Sequence, residues 1–220
     1  MVGGTAASEI AAGEVATSEV GIAPAAPDGR NARAARTRDA VVESLLALVD
    51  AGNPRPTARE ITEHAGVSLR SVYVHFDDLD DLFTAAAGRH ARRIAELVRP
   101  LPPDAPLIAR IDAFVDQRSR ILEVGASLRR AAALQEPFSD TIATIMARGR
   151  AAGRAQLATV FARELDATSG AARERLLASL DVAAGAAAWD TLRLHRDLPV
   201  SAARAVVREM LVALLTSAGA

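Results

Sequence analysis

Apolar residues recur at three- and four-residue spacing through most of the chain, the period that gives an α-helix one buried stripe. Between Arg36 and Ala51 the stripe is Val41, Val42, Leu45, Leu48 and Val49, ended by Gly52 and the turn Asn53-Pro54-Arg55-Pro56, since neither proline can continue a helix. From Leu82 to Val98 it is Leu82, Phe83, Ala86, His90, Ile94 and Leu97, ending at Pro100 and followed by a rigid break at Pro102-Pro103 and Pro106. Leu107 to Val124 repeats the pattern with Ile108, Ile111, Phe114, Val115 and Ile121. Ala126 to Gln135 predicts a shorter helix stopped by Pro137, and Phe138 to Leu165 a long one with Ile142, Ile145, Met146, Leu157, Val160 and Phe161 inward. Two more helices follow, Ala171 to His195 and Ser201 to Ser217, separated by Leu198-Pro199, with Ser201 as the expected N-cap. The expected fold is all-α. Residues 1–30 mix small residues and acids without an apolar face and read as a disordered tail.

The stretch Thr57 to Phe76, TAREITEHAGVSLRSVYVHF, is the most informative. Thr57 and Glu60 form the Thr-x-x-Glu capping box that marks a helix start, and Ile61 and Ala65 fall one turn apart on its inner face. Gly66 suits the left-handed residue that ends a helix, and Ser68 caps the next one. In that second helix Val72 and Phe76 share the inward side, Arg70 and Val74 point nearly opposite, and Ser71 and Tyr73 flank them. Two short helices with so tight a turn make a corner whose outer face suits a DNA groove. Such corners also occur in ordinary helical proteins, so geometry alone does not decide.

The residues are more specific than the geometry. Ala65-Gly66-Val67-Ser68, then Ser71-Val72-Tyr73, then His75-Phe76 resemble the helix-turn-helix of the TetR family of bacterial transcriptional repressors, over about residues 33–82. The resemblance implies a three-helix DNA-binding domain at 31–82, a connecting helix at 83–100 and a helical ligand-binding and dimerisation domain at 101–220. It implies phosphate contacts from Thr57 and Tyr73, base-edge contacts from Ser68, Arg70 and Ser71, and a backbone contact from His75. The basic run Arg30 to Arg38, with Arg36, reads as an arm reaching phosphates beside that unit. The last two helices would form a four-helix bundle with their twins in a homodimer, through Leu177, Leu180, Ala184 and Ala187 on one and Val206, Met210, Leu211 and Leu214 on the other. Two departures stand out. Leu79 replaces a lysine common in the family and sits among Asp77, Asp78, Asp80 and Asp81, which removes a phosphate contact. Thr62 and Leu69 replace an alanine and a polar residue, and Leu69 suits a thymine methyl.

Composition narrows the chemistry. Half of the 220 residues are hydrophobic and 3% aromatic, and the absence of cysteine excludes disulfides, thiolate metal sites and cysteine catalysis. No apolar run reaches the ~20 residues of a membrane span, and the first residues lack a secretory pattern, so a cytoplasmic protein is expected. The net charge is −1, every base is an arginine, and residues 1–29 hold four acids and no base. DNA contact must therefore be local and selective rather than a general attraction to phosphate. No phosphate loop, nucleophile elbow or metal-spaced pair occurs, and His64, His75, His90 and His195 are scattered, so no metal, no cofactor and no enzyme activity are expected. Phe114, Leu122, Leu134, Phe138, Met146 and Trp189 are candidate walls of an effector cavity, with Arg129, Arg130 and Glu136 to orient a polar head group. The function expected is a DNA-binding regulator, a repressor released from a palindromic operator by a small molecule. The rival is a small helical enzyme or lipid carrier.

Overall fold

A computed structural model describes residues 29–217. The tail expected at 1–30 lies outside them except for Gly29 and Arg30, which open the first helix. In order the helices are α1 (Gly29–Asp50), α2 (Ala58–Ala65), α3 (Leu69–His75), α4 (Leu79–Leu97), α5 (Leu107–Val124), α6 (Ala126–Gln135), α7 (Asp140–Val160), α8 (Ala162–Asp166), α9 (Gly170–Ala183), α10 (Ala186–Asp190) and α11 (Val200–Ser217). No strand occurs among the described residues, and no helix is long and apolar enough to cross a membrane.

Local side-chain chemistry starts many of these helices. Thr57, Ser68, Asp78 and Ser139 each accept the backbone N–H three residues on, capping α2, α3, α4 and α7. Gly66 ends α2 at φ +66°, a left-handed conformation that a side chain would strain. The N-terminal core gathers Val41, Leu45 and Val49 of α1, Ile61, Val72, Phe76, and Leu82, Phe83 and Ala86 of α4. The second core joins Ile111, Phe114 and Leu122 of α5 to Leu157, Phe161, Leu180, Trp189 and the inner stripe of α11.

Several expectations change. The run from Arg30 to Arg38 is not an arm: α1 begins at Gly29, so Arg33, Arg36 and Arg38 stand on a continuous helix. The cores do not divide at Pro100, because Leu128 and Ala131 of α6 and Ile142 of α7 belong to the N-terminal core while Leu157 of α7 belongs to the other. The predicted Phe138–Leu165 helix is a 3₁₀ turn at Glu136–Phe138, then α7, then α8 after a bend at Phe161. The predicted Ala171–His195 helix breaks at Ala184-Gly185 into α9 and α10 and ends in a wide π turn, Thr191–His195. Ser201 lies inside α11, whose first bond runs from the Ala203 N–H to the Pro199 carbonyl, so it is not a cap.

Candidate nucleic-acid interface

The corner between α2 and α3 is held from three sides. The Thr57 hydroxyl and backbone N–H both donate to the Glu60 carboxylate at 2.7 Å, and the Glu60 N–H donates back to the Thr57 hydroxyl at 3.2 Å. These bonds, the backbone one first, hold the Glu60 carboxyl below its ordinary range. At the turn the Val67 N–H returns to the Thr62 carbonyl at 3.1 Å, while the Ser68 hydroxyl accepts the Ser71 N–H at 3.1 Å and meets the Ser71 hydroxyl at 2.8 Å. Behind the corner stands α1. Its buried Ser44 meets His64 of α2 at 3.1 Å. Its Arg38 donates to the carbonyl of His75, in the last turn of α3, at 2.7 Å, and lies 4.4 Å from the centre of the Phe76 ring. A cation at the carbonyl end of a helix is favourable, and one over an aromatic face adds to it.

This frame turns α3 as its spacing predicts. Val72 is 3% and Phe76 2% exposed, whereas Leu69 is 47%, Tyr73 58% and Val74 70% exposed, with Arg70 exposed beside them. Arg70 makes no ion pair among the described residues. Ser68 is exposed, Ser71 and His75 half-buried, and Arg36 exposed on α1. A short helix thus presents an apolar-plus-arginine ridge to solvent, with Ser68 and Thr57 at the starts of adjacent helices. Leu69, Tyr73 and Val74 are thus held largely outward on a seven-residue helix instead of entering the N-terminal core. Thr57 carries out its capping role fully, its hydroxyl proton already given to Glu60.

Two of the four aspartates around Leu79 have defined roles. Asp78 caps α4, accepting the Asp81 N–H at 2.8 Å, and Asp80 accepts the Ser139 hydroxyl at the start of α7. Sequence spacing could reveal the first, since Asp78 and Asp81 are three residues apart. It could not reveal the second, which joins positions 59 residues apart. Arg38 was missed for the same reason: its partners sit on another helix.

The six cavity candidates do not converge. Phe114, Leu122 and Trp189 are buried in the second core, Met146 packs against the N-terminal core, and Leu134 and Phe138 face solvent at 51% and 82% exposure. None of them lines the cleft of about 410 Å³ beside Tyr73 and Leu79 or the one of about 220 Å³ between α1 and α4. Of the possible head-group residues, Arg129 pairs with Asp190 at 2.7 Å and Glu136 with Arg150 at 2.7 Å, while Arg130 approaches Asp190 at 3.8 Å. Four of the eight candidate dimer residues also change role: Leu177, Leu180, Ala184 and Leu211 are buried in the protomer's own core. Val206, Met210 and Leu214 are half-buried, and Ala187 is exposed. Two apolar stripes run along these helices, and the leucines mark the inner one.

No protein-family model and no curated protein sequence matches the chain. Solved structures do. A transcriptional regulator from Rhodococcus sp. superposes with a TM-score of 0.62 at 20% identity, over 85% of this chain and 98% of its own. A TetR-family transcriptional regulator from Streptomyces coelicolor gives 0.62 at 20% identity, over 84% and 88%. The multidrug binding protein EbrR complexed with imidazole gives 0.57 at 23%, over 83% and 89%. The chain therefore has the all-α fold of TetR-family transcriptional regulators, along nearly its whole described length.

Proposed function

We propose that this protein is a TetR-family regulator that binds a palindromic operator as a homodimer and represses until a small molecule releases it. One observation carries the reading: α3 is buried along Val72 and Phe76 and offers Leu69, Arg70, Tyr73 and Val74 to solvent. An arginine with no acid partner, flanked by apolar side chains on a short helix, matches what a major groove asks of a probe, guanine acceptors and thymine methyls. The Ser68 cap at its start and exposed Arg36 of α1 supply phosphate donors. A homodimer sets two such helices about one DNA turn, ~34 Å, apart. The fold neighbours support regulation rather than catalysis, and the EbrR complex with imidazole supports a small-molecule ligand. A regulator of this kind works in the cytoplasm, where its operator is.

The test is a gel shift on the DNA upstream of its own gene, at fixed salt, with the native protein and with Arg70→Ala. The native protein should bind specifically, and the variant should lose about 1–3 kcal/mol of affinity while melting at the same temperature. Equal binding by both, or none by either, would remove the regulator reading.

A further inference from the structure

From α5 onward, several arginines drawn out of solvent are matched by acids. Arg110 is buried against Glu164, Arg129 meets Asp190 at 2.7 Å, Arg193 holds Glu123 at 2.9 Å and Arg204 meets Asp116 at 2.5 Å. Arg118, on α5, departs from this pattern. Its guanidinium lies 5.0 Å from the centre of the Phe114 ring, and its Nη2 donates to the Gly153 carbonyl at 2.9 Å and the Gln156 amide oxygen at 3.0 Å. Both acceptors are neutral and both belong to α7. Its Nε is sealed from solvent and has no acceptor. The acid that acts on it through space, Asp181 of α9, is itself engaged by Arg154 at 3.6 Å. Burial pushes the Arg118 guanidinium below the ordinary arginine value, and Asp181 opposes this only in part.

A cation drawn largely out of water with only a shared, distant counter-ion is costly, and neutral acceptors recover only part of what a carboxylate would give. The surroundings are shaped to keep it there. At Gly153 a Cβ would stand 2.8 Å from Nη1, so glycine lets the guanidinium lie against α7 where a side chain would push it aside. The unused Nε–H lies on the same edge of the guanidinium as Nη2, the side-on fork whose two parallel donors fit the two oxygens of a carboxylate. Gln156, half-buried, occupies one half of that fork and leaves the other empty.

We propose that Arg118 anchors a site for a small organic carboxylate between α5 and α7, the anion taking the Nε–Nη2 edge and making its room by displacing the Gln156 amide. This names the chemical class of the effector, and it rests on the regulator reading only for that word, since binding itself is measured without DNA. The site is placed to be felt at a distance. The helix whose glycine and glutamine hold Arg118 also puts Ile142 into the N-terminal core, and its cap Ser139 is bonded to Asp80 of α4.

Calorimetry and thermal melting of the full chain with sodium benzoate, sodium octanoate, sodium phosphate and neutral benzamide test the proposal. A carboxylate should bind and raise the melting temperature where benzamide does not, and Arg118→Gln should weaken that binding about tenfold or more. Gln156→Glu carries the test even if Arg118→Gln fails to fold. It places a carboxylate of the chain's own on the fork, so it should melt above the native protein and no longer respond to benzoate or octanoate. The proposal is overturned if neither carboxylate binds, if benzamide binds as well as benzoate, if phosphate alone binds, or if either folded variant responds like the native chain. Carboxylate binding by a protein that grips no DNA would keep the site and remove only the regulator reading.

Discussion

At the level of single residues, the helix-start chemistry was readable because it is local. Thr57 with Glu60, Gly66, and Ser68 all act on neighbours three or four positions away, so their roles follow from spacing alone. Arg38 was not readable, because the carbonyl it reaches is 37 residues along the chain and only the packing of α1 on α3 brings the two together. His90 belongs to the same class. It appears in the apolar spacing of α4 as one more inward residue, but its ring lies so close to the α5–α6 junction that a Cβ on Gly125 would be 2.3 Å from Nε2. Burial first, then the charges of Arg93 and Arg129, lower its pKa from the ordinary 6.5, and Asp50 opposes them. The sign follows directly. The unfolded chain takes up a proton near 6.5 that the folded chain resists, so stability contributed by neutral His90 is complete above that pH and declines as pH falls below it. Urea midpoints at pH 7.5, 6.0 and 5.0 should fall more steeply for the native protein than for His90→Asn; parallel declines would remove this role.

Among the elements, the helical type followed from apolar period, but the breaks did not, so two predicted helices are four shorter ones. Period reports which side of a helix is buried but is blind to a bend that keeps both halves buried. Phe161 is such a case: it sits in the bend between α7 and α8, fully buried, with its ring edge-on to Phe114 at 5.4 Å. The break between α9 and α10 has a steric cause that a lone glycine in a helical run only hints at. A Cβ at Gly185 would stand 2.6 Å from the backbone oxygen of Asp181 and 3.4 Å from that of Val182. Backbone atoms cannot rotate out of the way as a side-chain tip can. Gly185→Ala should therefore cost about 1–3 kcal/mol in chemical denaturation, the range for overpacking, although alanine favours helices over glycine by about 1 kcal/mol at open positions. At Gly149, where nothing lies within 4 Å, the same replacement should stabilise instead. If the two variants moved stability in the same direction, the break would need another explanation.

For the whole molecule, the question is which surface a second copy covers. Leucines at helical spacing identify a buried stripe but not whose core it enters, and Leu177, Leu180 and Leu211 enter their own. What remains outward on α9 and α11 is a smaller-residue stripe: Ala178 and Val182, the latter 74% exposed, beside half-buried Val206 and exposed Ala213, with Met210 packed against the core at its edge. Small side chains let helices approach closely, and an exposed valine with no cover in the protomer is what an isologous contact would bury. The homodimer proposed above therefore closes through this outer stripe. Two substitutions two residues apart separate the alternatives. Val182→Glu should leave the melting of the protomer nearly unchanged, because the side chain faces water, yet shift light scattering from dimer to monomer and lower operator affinity, since one reading helix alone spans half a palindrome. Leu180→Ala should instead destabilise the fold by about 2–5 kcal/mol, as truncation of a fully buried leucine does, before association is affected at all. A dimer that survives Val182→Glu at micromolar concentration would place the contact elsewhere, and a native chain that is monomeric there would leave each α3 to read DNA unaided.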